Sequence, residues 1–232
     1  MTSITTKADI EGPAFRNLLF FLLLYLIGSP FLVPYPSLTV LAHASLSVAL
    51  FFAVYTVQKQ RQQRSFAMFL LMPLLGLYWL GIYDIVSFSR LGADLFFVFY
   101  FGLLVYSYIC QIIRSSRVTT NLLYATFCLY LIIGLFWGSL YTLLDDLMPG
   151  AYGGTLLDNV QDKSIHVYNY FSMVTLTTLG YGDITPQTAG AAALCQMEAI
   201  VGQFFTAVLV AWLVGMYISD RQGQRLGNNA DS

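Results

Sequence analysis

Apolar runs of membrane-crossing length recur along nearly the whole chain, and this limits the fold more than any other feature. Spanning a bilayer's hydrocarbon as a helix takes about 20 predominantly apolar residues. Six segments qualify, roughly 15–33, 38–57, 66–87, 93–113, 121–144 and 190–218. Only 10% of the residues are charged, against about 25% in soluble domains. That deficit excludes an ordinary soluble globule. A net charge of −1 gives no reason to expect a nucleic-acid partner. Cys110, Cys128 and Cys195 all fall inside apolar runs without metal-ligand spacing, so reduced, structural thiols are expected.

Short polar breaks separate the runs: Gly28-Ser29-Pro30 with Pro34-Tyr35-Pro36, then 58–65, 87–94 and 114–121. Leu18 to Ile27 has the length of a signal-peptide core. The residues after it lack the small-x-small cleavage pattern, so a retained helix is expected. Placing both termini in the cytoplasm puts Lys7, Arg16, Lys59, Arg61, Arg64, Arg114, Arg117, Arg221 and Arg225 on that side. Only Arg90 and Lys163 of the 11 basic residues then lie outside. The chain divides into a cytoplasmic tail (1–14), a four-helix peripheral unit (15–113), a linker (114–120), a pore unit (121–218) and a second cytoplasmic tail (219–232).

The longest break, 145–189, faces outward in this topology. Residues 145–165 read as a loop with acids Asp145, Asp146, Asp158 and Asp162, which would concentrate cations weakly or simply be solvated. The next stretch, Val167 to Thr177, is apolar and too short to cross. It suits a half-helix that enters a bundle and returns, because irregular backbone at membrane depth must be buried or line water.

After that half-helix comes Thr177-Thr178-Leu179-Gly180-Tyr181-Gly182-Asp183. This stretch, with the spans flanking it, resembles the bacterial potassium-channel pore family, in which one filter loop lies between two helices. The resemblance covers roughly 120–218. It implies an all-α membrane fold of six helices with a re-entrant pore helix, assembled as a homotetramer in the bacterial inner membrane. It implies that Thr178, Leu179, Gly180, Tyr181 and Gly182 line a passive K+ path, main-chain oxygens replacing the ion's water. An ordinary L-strand alternates its carbonyls, so some residues must take left-handed angles, which Gly180 and Gly182 allow. Thr178 would add a side-chain ring at the inner end. Leu179 and Tyr181 would turn their side chains away from the axis and brace the wall. Leu179 departs from the usual valine, which bears on packing and inactivation more than on ion choice.

Several supporting roles follow from the same resemblance. Tyr170 is matched to the donor that holds the carboxylate of Asp183. The place where some relatives carry a glutamate on the re-entrant helix is Val174 here. Gly202 stands where relatives hinge the inner helix, and close packing is the other reason for a glycine there. Glu198 is expected to pair structurally behind the filter rather than line the path. The only cofactors implied are K+ ions, as cargo, and the partners are lipid, sister subunits and an unidentified regulatory ligand or subunit.

The fourth span, 93–113, contains Asp94 and no basic residue. Arg114 and Arg117 sit beyond its end, so intrinsic voltage gating should be weak or absent. His43, Asp84, Arg90 and Asp94 fall near the outer ends of spans two to four and would form an ion-pair or pH-sensitive cluster. A non-selective cation channel would need a broken filter, and a potassium-uptake subunit would carry four degenerate loops in one chain. No nucleophile–base pair or phosphate loop points to an enzyme.

Overall fold

The computed structural model describes residues 14–32, 35–56, 61–82, 89–115, 119–159 and 165–230. Helices dominate: α1 (Ala14–Leu32), α2 (Pro36–Thr56), α3 (Arg61–Ile82), α4 (Ser89–Ile113) and α5 (Thr120–Leu147). Beyond them lie β1 (Tyr152–Gly153), α6 (Thr155–Asn159), α7 (Ile165–Leu176), β2 (Thr185–Pro186) and α8 (Ala189–Ala230). Among the described residues, four stretches are long and apolar enough to cross a membrane: Ala14–Leu32, Leu91–Ile113, Thr120–Leu147 and Ala189–Trp212. A shorter apolar stretch, Val40–Thr56, lies in α2. In α3, part of the expected span (83–87) is outside the described residues.

The elements differ from the sequence reading mainly at their ends. Helix α3 starts at Arg61 and α4 at Ser89, within segments expected to be breaks. A basic, glutamine-rich turn is still a good helix former, so propensity carried α3 through it. The outer segment is more ordered than a loop. Helix α5 runs through Asp145 and Asp146, and β1 pairs antiparallel with β2 (Tyr152 with Pro186, Gly153 with Thr185). The expected C-terminal tail is helical to Ala230.

Helix α5 is the central post. It begins at Thr119, whose side chain caps the Leu122 N–H at 3.2 Å. It packs on α1, α4, α7 and α8. Of its most apolar stretch 61% is buried, against 11% for that of α8, the least covered of the four. On the peripheral side, α4 bonds to α2 through tyrosines: Tyr100 Oη donates to Leu50 O at 2.9 Å and Tyr108 Oη to Ala53 O at 3.0 Å. Phe15 of α1 meets Tyr108 edge-on at 5.7 Å, and the Cys128 thiol reaches Phe15 O at 3.5 Å. All three cysteines are free thiols.

Helix α7 is the element that positions the site. Its 12 residues rise only about 18 Å, well short of the ~30 Å hydrocarbon layer. It lies in a cleft of α5 opened by two glycines one helical turn apart. A Cβ on Gly138 would stand 3.0 Å from the Asn169 Cα, and one on Gly134 would overlap the Met173 side chain. This small-xxx-small spacing admits close helix approach. Helix α1 also reaches α7: the Asn169 side-chain amide donates to Tyr25 Oη at 3.2 Å.

Candidate functional site

Helix α7 ends at Leu176, and the chain turns at once. The Thr177 N–H donates to Met173 O at 3.1 Å and the Thr178 N–H to Thr175 O at 2.9 Å. The Val174 carbonyl takes two donors, Leu179 N–H at 2.9 Å and Gly180 N–H at 3.3 Å. The strand that follows therefore starts from the carbonyls of the helix's last turn.

Left-handed backbone then recurs at every second residue: Thr178 (φ 58°), Gly180 (φ 56°) and Gly182 (φ 79°). The two glycines take it at little cost. Thr178 is the one non-glycine with positive φ among the described residues, and a β-branched side chain is a genuine outlier there. Nothing in the residue type announces this; only its place in the alternation does. All five residues of this segment are exposed in the single chain, Leu179 at 55% and Tyr181 at 67%. The bracing expected of those two side chains is thus not supplied by their own chain.

At the outer end, Tyr170 Oη donates to Asp183 Oδ2 at 2.5 Å, and the Ile184 N–H reaches Oδ1 at 3.1 Å. Burial, then the bond to Asp183, push the Tyr170 phenol up to about 12. The Asp183 carbonyl accepts from the Leu156 N–H at 3.3 Å. A Cβ on Gly154 (φ 141°) would stand 2.2 Å from that carbonyl oxygen, so only glycine fits. Gln187 N–H donates to Ala151 O at 2.8 Å and completes the clasp.

Behind the segment, Glu198 is fully buried in α8. The Tyr141 hydroxyl of α5 donates to Glu198 Oε2. Ser172 Oγ of α7 sits 2.5 Å from Glu198 Oε1 and 2.7 Å from Gly134 O. One carboxyl thus joins three helices. Val174, by contrast, is a buried apolar residue whose contribution is its carbonyl.

Gly202 sits where α8 crosses the end of α7. A Cβ there would be 2.1 Å from Leu176 O and 3.0 Å from Leu176 C. Helix α8 continues through this point without a break. Of the two reasons weighed for this glycine, close approach has a direct structural correlate.

One expectation needs correction. Asp145 is not a solvated outer acid: it is buried in the last turn of α5 and accepts from Tyr168 Oη at 2.7 Å. The short distance in sequence from the loop acids concealed this. Of the expected His43 cluster, Asp84 lies outside the described residues, and only backbone is described at Arg90. Among the described residues, His43 bonds to the Tyr78 hydroxyl, and its ring centroid lies 5.8 Å from that of His166. Asp94 is buried in α4. The pairing of the chain's two histidines joins residues 123 positions apart and had no signal in the sequence. Gln203 and the Gly134/Gly138 pair were likewise missed as contacts; the glycine spacing was the one available cue.

Residues 125–219, from the second turn of α5 into α8, match the family model described as ion channel. Neither a curated protein nor a solved structure matches this chain. The match spans under half of the chain. With the apolar helices, it supports an oligomeric membrane channel and points away from an enzyme.

Proposed function

We propose that this protein is a potassium-selective channel, four copies surrounding one axis, with Thr178 to Gly182 of each copy forming the filter. The observation that carries this reading is the left-handed backbone at Thr178, Gly180 and Gly182. Alternating left-handed residues bring successive carbonyls to one side of a strand, which is what coordination of a dehydrated cation needs. One strand offers too few oxygens, so a closed fourfold ring supplies the rest. The exposed apolar face of α8 (Met197, Ile200, Phe204, Val208) and the exposed Leu179 and Tyr181 would then meet neighbouring copies and lipid.

In this reading the protein is a six-span chain of the bacterial inner membrane with both termini cytoplasmic. Helix α7 is re-entrant, and its C-terminal end, partially negative, faces the inner side of the filter. Voltage gating is weak or absent. The purified protein in potassium-loaded liposomes tests this. Flux should follow the potassium gradient, exclude sodium and stop with Ba2+. Equal sodium flux, or none of either ion, would overturn it.

A further inference from the structure

We infer that Gln203 is a positioning residue for the innermost ion site: its amide fixes the Thr178 hydroxyl and ties α8 to the inner end of the filter. This rests on the potassium-channel reading above. Gln203 Nε2 donates to Thr178 Oγ1 at 3.1 Å, across 25 positions of sequence. The Thr178 N–H is bonded within its own α7 turn, to Thr175 O. Gln203 is the partner that reaches it from the inner helix.

Two further observations make the contact more than incidental. Thr178 holds left-handed angles that a β-branched residue avoids, and such a conformation persists only where the surroundings over-determine it. Gln203 also follows Gly202, whose missing Cβ lets α8 lie against Leu176 O. The helix backbone is thereby seated immediately before the residue that reaches the filter, so the amide's position is set by packing.

The chemistry follows from the hydroxyl's inventory. A threonine hydroxyl has one hydrogen and two lone pairs. An amide donating into one lone pair leaves the other for a cation and turns the hydrogen elsewhere. Without the donor, the hydroxyl rotates freely and presents hydrogen or lone pair to the path. Gln203 therefore acts on ion affinity at the inner end, and any shift of α8 that lengthens the bond weakens that site.

The test uses the full-length channel in planar bilayers, with Ba2+ applied from the inner side as a probe of the innermost site. Ba2+ nearly matches potassium in radius. Gln203→Leu should weaken internal Ba2+ block about three- to tenfold, the net worth of one hydrogen bond. Potassium-over-sodium selectivity should persist, since the outer carbonyls are untouched. Gln203→Asn keeps an amide but retracts it, and should behave like Gln203→Leu; it serves if the leucine variant fails to assemble. Unchanged Ba2+ block in an assembled variant would overturn the inference. A parent channel without potassium selectivity would instead overturn the reading on which it rests.

Discussion

At the residue scale, single atoms decide whether the segment 178–183 can take its place between α7 and α8. Gly202→Ala would push a methyl into Leu176 O at 2.1 Å. Overpacking against backbone costs about 1–3 kcal/mol. The variant should melt earlier and yield less assembled protein, which detergent-resistant size and thermal unfolding would reveal. An equally stable variant with altered open probability would return Gly202 to a hinge role. Tyr170→Phe removes the donor to Asp183 and the restraint at the outer end. A hydrogen bond to a charged group is worth about 1.5–3 kcal/mol, so currents of this variant should decay faster during sustained opening. Decay identical to the parent would show that the clasp around Gly154 and Leu156 suffices.

At the element scale, α7 depends on what its neighbours omit. Gly138→Val would drive a branched side chain against the Asn169 Cα, 3.0 Å from even a first carbon. It should displace α7 and abolish flux, whereas Gly134→Ala clashes with the flexible Met173 side chain rather than with backbone and should cost less. Parallel flux assays on the two variants check that order. The start of α7 carries a second dependence, on pH. Burial, and then the neighbouring His43, pull the His166 imidazole down to about 4 from its ordinary 6.5. Below pH 6.5 the unfolded chain therefore binds more protons at this position than the folded one. Stability is full above 6.5 and falls as pH drops toward 4. Thermal melts across that window should show the decline, and His166→Phe should flatten it.

At the scale of the whole molecule, α1 and α2 contact α7 directly. Tyr25 of α1 holds Asn169, and the ring of His43 in α2 faces His166. The described part of α4 beyond its first turn carries no basic residue, and Arg114 lies just past its end. A sensor that moves 3–4 charges per subunit in the field gains ~2.3 kcal/mol per charge per 100 mV. With none placed to move, conductance plotted against voltage should be nearly flat. A curve carrying three or more elementary charges per subunit would contradict this architecture. Helices α1 and α2 thus have a physical route to the start of α7 through Asn169 and His166.

The sequence by itself determined the long apolar helices, the short one before the TLGYGD stretch and their order, because apolar run length and glycine placement act locally. Val167–Thr177 and the TLGYGD stretch were legible for that reason, as was the need for left-handed glycines at 180 and 182. Tertiary structure alone decided the partners. That Glu198 joins Tyr141 and Ser172, that Asp145 is buried, that the two histidines meet and that Gln203 reaches Thr178 all depend on side chains brought together from distant helices. Periodicity records which face of a helix is apolar; the identity of the atom opposite is fixed only when the helices pack.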